Sequence, residues 1–286
     1  MQQKIFHLHA LSALHVGTGQ SVGVVDLPIA RARATNLPLV PGSALKGVLR
    51  DEFAQLPGVD MRRIKTLFGP ESALDGDIHA GALAVGDAHL LILPIRSFNG
   101  VVAFATCPFI LKRYARDLGL TATVPTLNKD QVAVTGGSLL VSGNKVLLED
   151  LDLNAVSNDA AITAWSECIA VGLYPDQPEW QKEFRQHFAI LPDQVFSFLA
   201  DTATEIRARI RIDEATRTVA NGALWYEENL PAEAVLWGVM GVSRSRNKDD
   251  ETTAADLAAL LPQKELALQI GGKHTVGRGL CRFLVA

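Results

Sequence analysis

Ile5-Phe6-His7-Leu8-His9-Ala10-Leu11-Ser12-Ala13 sets Ile5, His7, His9 and Leu11 against Phe6, Leu8 and Ala10, before turn residues arrive at Gly17 and Gly19. A period of two is that of a β-strand. Farther on the period changes. In Ser43-Ala44-Leu45-Lys46-Gly47-Val48-Leu49-Arg50-Asp51-Glu52-Phe53 the apolar positions Leu45, Val48, Leu49 and Phe53 recur at helical spacing, and the Ser43 hydroxyl stands where an N-cap is needed. Residues 82–95 and 101–106 read as neighbouring strands joined through Ser97-Phe98-Asn99-Gly100. Residues 107–118 read as a helix, with Pro108 near the start, where a missing N–H does no harm. Strand, helix, strand, strand, helix opens a ferredoxin-like or RNA-recognition type of layer, an α+β architecture.

The rest of the chain is less regular. Residues 17–41 lack a period, and so long a connection is usually functional or disordered. Residues 121–183 are acidic and weakly periodic, and read as an insertion. From Glu205 the chain alternates Ile206, Ala208, Ile210 and Ile212 against Arg207, Arg209 and Arg211, resuming at Ala223 after Asn221-Gly222. This predicts a β-hairpin with an extended basic arm. Residues 247–251 form a charge-rich surface loop, and residues 265–285 read as strand, Gly-rich turn, strand.

The 286 residues allow one enlarged domain or two modest ones. With 27 Lys and Arg against 31 Asp and Glu, the formal charge of −4 excludes a uniformly basic nucleic-acid binder. The average conceals segregation. Residues 26–65 carry seven bases and four acids, residues 271–286 carry three bases and no acid, and residues 149–183 carry eight acids and one base. Three dispersed cysteines, Cys107, Cys168 and Cys281, suggest neither a disulfide framework nor a zinc ribbon and suit a reducing cytoplasm. No membrane span or signal peptide is expected.

Gly271-Gly272-Lys273-His274-Thr275-Val276-Gly277-Arg278-Gly279 offers four glycines and two bases in nine residues, a composition suited to a closely approaching phosphate backbone or, more simply, to a hairpin turn. It is not a P-loop, because His274 follows the lysine and no helix can follow. The Gly17–Gly23 run misses the dinucleotide spacing. His7 and His9 share a strand face with no acid partner close in sequence, which argues against zinc. Asp26 is the only carboxylate between His15 and Leu45, and Arg31 and Arg33 follow it closely. It is a turn residue or, in a basic loop, an acid that can bind a divalent ion or orient proton transfer beside a phosphate.

Four stretches taken together resemble the RAMP superfamily of CRISPR proteins: residues 14–19 (Leu14-His15-Val16-Gly17-Thr18-Gly19), residues 26–31 (Asp26-Leu27-Pro28-Ile29-Ala30-Arg31), residues 41–50 and residues 270–280. Residues 93–97, 211–213 and 223–231 narrow the resemblance to the multi-copy backbone subunits of type III-B (Cmr) effector complexes. The resemblance implies a single domain. Its ferredoxin-like, RNA-recognition-motif-like palm would span about 1–15, 41–56, 80–120 and 265–286, with helical insertions about 121–200 and a projecting hairpin thumb about 203–235. It implies partners as well: a CRISPR guide RNA, a complementary target RNA, further copies in a helical filament, and other Cmr subunits, all serving antiviral defence. By motif, Asp26 is the catalytic acid and the ligand of Mg²⁺ or Mn²⁺, and His15, Tyr226 and Glu227 are accessory. Ser43, Lys46, Arg50 and the loop residues Gly271, Gly272, Lys273, His274, Gly277 and Arg278 would hold guide phosphates. Target cleavage by 2′-OH attack would recur at regular intervals, and the acidic 149–183 segment would face the next copy. A noncatalytic guide-coating subunit and a stand-alone CRISPR RNA-processing endonuclease are the alternatives; the acid at position 26 argues against the first and the long basic hairpin against the second.

Overall fold

The computed structural model describes residues 1–19, 25–70, 79–157 and 160–286. The far part of the Gly17–Gly23 run and Asp159 of the acidic segment lie outside them. β1 (Gln2–Ala10) leads to β2 (Leu39–Val40), α1 (Gly42–Gln55) and α2 (Met61–Phe68). β3 (Leu83–Val85), β4 (Ala88–Arg96) and β5 (Val102–Thr106) precede α3 (Pro108–Leu118). Then come β6 (Gln131–Val134), β7 (Val141–Ser142), β8 (Lys145–Leu148), β9 (Leu151–Val156), α4 (Ala160–Leu173), α5 (Pro178–His187), β10 (Phe188–Ile190) and α6 (Asp193–Thr202). β11 (Glu205–Ile212) and β12 (Val219–Asn229) form the hairpin, followed by β13 (Val235–Val242), α7 (Ala254–Ala258), β14 (Leu266–Gln269) and β15 (Leu280–Val285).

One mixed sheet runs in the order β14-β15-β1-β13-β4-β5-β10-β6-β9-β8-β7, with β2 on β4 and β3 on β13; β11 and β12 pair separately. β1 pairs antiparallel with both β13 and β15, and β13 pairs antiparallel with β4. The strand between β1 and β4 is therefore β13, an apolar run that shows no alternation. The expected single strand over 82–95 is two strands, broken where the Gly86 amide bonds the Val239 carbonyl. β5 lies on the far side of β4 and pairs parallel with β10. Through β10 the 121–200 segment adds strands to this sheet, so it is mixed rather than purely helical.

Both long-range caps escaped sequence reasoning. The N-cap of α1 is Pro41, not Ser43, and no side chain of its own turn caps it. The Gly42 amide is taken instead by Asp87 Oδ1 at 2.8 Å, and Ser43 lies exposed inside the first turn. At α3, with Pro108 at the start as expected, the Phe109 amide donates to Asp193 Oδ1 at 2.9 Å. The hairpin differs too: it turns at 213–218, where the Asp213 carboxylate accepts from the Ala215 and Thr216 amides. Asn221-Gly222 falls inside β12, where the register shifts between Ile210 and Ile212. The loop after β13 is pinned, because Asp250 accepts from the Thr252 and Thr66 hydroxyls, which hold its carboxyl at about 2.

β1 is buried on both faces from Ile5 onward. His9 does have an acid partner: its Nε2 lies 2.8 Å from Glu233 Oε2. His7 Nε2 bonds the Tyr114 hydroxyl at 2.7 Å, and burial lowers the His7 pKa to about 4. The fold resists protonating His7, so stability is full above the ordinary value near 6.5 and falls as pH drops toward 4, by about 3 kcal/mol. Thermal melts at stepped pH should show this loss, and His7→Gln should flatten it. An equal slope in the variant would assign the loss to other groups.

Candidate active site and nucleic-acid interface

The base of the hairpin is held from two sides. On one, Leu14 and Leu230 exchange amide–carbonyl bonds at 2.9 Å. On the other, the Leu27 amide bonds the Tyr226 carbonyl at 3.1 Å and the Glu228 amide bonds the Leu27 carbonyl at 3.0 Å. The irregular 17–41 connection is thus anchored to β12 at its acid-bearing turn. Asp26 is exposed there, and its Oδ2 accepts the Tyr226 amide at 2.8 Å. Arg31 fastens the loop farther on, donating to Glu228 Oε1 at 2.6 Å and to Asp201 Oδ1 at 2.9 Å.

His15 is buried and its Nδ1 donates to the Glu228 carbonyl at 2.7 Å, which leaves Nε2 facing Gly17. A cleft of about 420 Å³ opens beside it, lined by His15, Gly17, Leu27, Ala44, Gly271 and Lys273 among others. Tyr226 is exposed on one face of β12. Glu227, on the other, is fully buried; its Oε1 accepts the Trp225 indole N–H at 2.9 Å and lies 3.2 Å from Lys273 Nζ and 3.6 Å from Arg209 Nε. Burial pushes its carboxyl up, but the Trp225 and Lys273 hydrogen bonds and the Lys273 and Arg209 charges outweigh it and leave the net shift downward. Lys273 also lies over the Trp225 ring at 5.8 Å.

The Gly-rich loop uses its amides differently from the sequence expectation. The Gly272 amide donates to the His15 carbonyl at 2.8 Å, Gly277 to His274 at 2.9 Å and Gly279 to Ala13 at 3.0 Å, so these N–H groups are spent inside the protein. At Gly271 a Cβ would sit 2.2 Å from the His15 carbonyl oxygen. Glycine is required there for close packing against residues 13–15. His274 is exposed on a 3-10 turn, and Arg278 is half-buried.

The structure therefore brings His15, Asp26, Tyr226, Glu227, Gly271, Gly272 and Lys273 together around the hairpin base. Lys46 and Arg50 stand apart from that cleft. Lys46 Nζ bonds the Leu83 carbonyl at 2.9 Å, and Arg50 bonds the Gly69 carbonyl. Arg209, which the sequence reading places on the basic arm, and Trp225, which it gives no role of its own, join the site as well; both flank the Tyr226-Glu227 pair, and the alternation of the hairpin is the available signal. Among the described residues no three His, Cys, Asp or Glu side chains gather as metal ligands. Asp26 alone fits an ion that takes its remaining ligands from water and phosphate, as Mg²⁺ does.

A mixed sheet with a basic hairpin, an acid displayed at the hairpin base and a Gly-rich C-terminal loop packed beside it define a class, and the comparisons agree. The chain belongs to the RAMP superfamily, whose sequence profile matches residues 7–282. It is 34% identical to the CRISPR system Cmr endoribonuclease Cmr4 of Pyrococcus furiosus, over 99% of this chain and 95% of that one. The crystal structure of oligomeric Cmr4 from the same organism superposes with a TM-score of 0.75 at 28% identity, covering 100% of this chain and 98% of that one. A chain of the type III-B Cmr-β complex bound to cognate target RNA shares the fold, with a TM-score of 0.73 at 18% identity, covering 100% and 97%. Among the described residues no helix is long and apolar enough to cross a membrane.

Proposed function

We propose that this chain is a backbone subunit of a Cmr-type effector that binds guide RNA and cuts complementary target RNA at regular intervals. The 34% identity to a Cmr endoribonuclease over nearly the whole chain supports the assignment. The observation that carries the catalytic reading is Asp26: an exposed carboxylate fixed through Oδ2 to the Tyr226 amide, next to an open cleft. The β15-β1-β13-β4 run has the strand order of a ferredoxin-like palm, with β1, β4, β13 and β15 as its four strands in chain order. β11 and β12 are the thumb.

In the reaction we envisage, the target's 2′-oxygen attacks the adjacent phosphorus. The bond from phosphorus to the 5′-oxygen breaks, leaving a 2′,3′-cyclic phosphate and a 5′-hydroxyl, and the 2′-proton passes to water while the leaving oxygen gains one. Asp26 accepts the 2′-hydroxyl hydrogen bond and orients its oxygen for attack. A Mg²⁺ or Mn²⁺ held by Asp26 and phosphate would supply charge stabilisation. His15 Nε2 faces the cleft, whereas buried Glu227 acts through Lys273 and Arg209 as a positioning residue. Base pairing carries the specificity, so the protein needs only sequence-blind backbone contacts.

The complex purified with its partners should carry bound guide RNA and cut a labelled complementary target into regularly spaced fragments ending in cyclic phosphate, with chelator suppressing the cuts. Guide-loaded complex that binds target and leaves it whole would favour the noncatalytic reading.

A further inference from the structure

The loop after β13 holds Arg244, Arg246 and Lys248, all exposed, beside the exposed acids Asp249 and Glu251, while Asp250 turns inward onto Thr66 and Thr252. Its stem is rigid. The Ser243 amide and hydroxyl both donate to the Ala82 carbonyl, at 3.0 and 3.2 Å, and Arg246 Nε donates to the Ser243 hydroxyl at 3.4 Å. Lys46 is anchored on the next carbonyl of the same strand region, that of Leu83. Lys46 directly, and Arg246 by way of Ser243, are therefore fastened to consecutive residues at the entry to β3, and Arg50 stands one turn along α1 from Lys46.

We propose that Arg246 joins Lys46 and Arg50 in one site for the phosphodiester backbone of single-stranded RNA, a site to which the loop after β13 contributes a third arm. This rests on the guide-binding reading above and extends it to an element that reading did not use.

Among the described residues none of the three bases makes a salt bridge. Partial burial of Lys46, together with the Arg50 and Arg246 charges, disfavours its protonated form, so the bases lie close enough to repel. Three cations from two elements, none of them paired with a carboxylate among the described residues, are stabilised by an anion arriving from outside. Lys46 and Arg50 have spent one donor each on a backbone carbonyl and keep others, because an ammonium has three N–H groups and a guanidinium five. Anchored charged heads with donors to spare suit a polymer whose phosphates recur, and nothing in the set reads a base.

Binding of the full chain to a fluorescent single-stranded RNA, titrated across salt concentrations, tests this. Arg246→Ala should weaken binding roughly tenfold and reduce the slope of log affinity against log salt by about 0.7, the share of one phosphate contact on a single strand. Arg246→Lys should restore the slope. Arg96→Ala, a variant of an exposed arginine paired with Glu149, should leave it unchanged. Inorganic phosphate at matched ionic strength should not compete; competition would assign the site to a free anion and overturn the proposal. Wild-type binding with an unchanged Arg246→Ala slope overturns it while leaving the guide-binding reading intact. Absence of wild-type binding would count against both.

Discussion

Asp26→Asn abolishes target cleavage, by roughly a thousandfold, in a complex that still loads guide, assembles and binds target. The expectation follows from where the residue stands. Asp26 is exposed, so its replacement costs little stability. Asparagine keeps a carbonyl oxygen for the Tyr226 amide that now bonds Oδ2 at 2.8 Å, so the turn is retained and only the charge is lost. Single-turnover cutting of a labelled complementary target, beside a gel-shift measurement of target binding, separates chemistry from affinity. Full-rate cutting by the assembled variant would remove Asp26 from the reaction.

Gly279→Ala lowers stability by roughly 3–5 kcal/mol. The backbone at Gly279 has φ of 75°, and a Cβ there would sit 1.9 Å from the Ile270 carbonyl oxygen. The same residue donates its amide to Ala13 and accepts from the Ile270 amide, at 3.0 and 2.9 Å. A shift to relieve the clash would loosen both bonds. Gly277 is the control: its φ is also 75°, but a Cβ there meets nothing within 4 Å. Gly277→Ala should cost about 1–2 kcal/mol, the left-handed strain alone. Thermal melts of the two variants would differ by several degrees, with Gly279→Ala down by about 10 °C. Equal losses would mean that packing against residue 270 contributes nothing.

Elements with a clean period were legible: β1, the body of α1, α3 and the hairpin each show spacing of two or near four. β13 was not, because Val235–Val242 is buried on both faces and mixes two glycines into an apolar run, which erases alternation. α2 is only eight residues, although Asp60 caps it by accepting from the Arg62 amide. The starts of α1 and α3 depend on Asp87 and Asp193, residues remote in sequence, and no local rule finds them. At the site, Asp26 stood out as a lone carboxylate in a basic connection. The loop glycines are visible in the sequence, yet what their amides bond is not: spacing cannot distinguish amides that wait for phosphate from amides that hold His15 and Ala13. The acid partner of His9 is hidden from the sequence for the same reason, since Glu233 arrives from the far end of the chain.

His15 bonds Glu228 through its ring and Gly272 through its carbonyl, while Leu14 beside it is paired with Leu230. Mechanically this residue is a fulcrum. Its ring holds the hairpin base and its carbonyl holds the C-terminal loop, with the Lys273–Glu227 ion pair as a second tie, so the base of the hairpin and the loop beside the cleft are joined as one body.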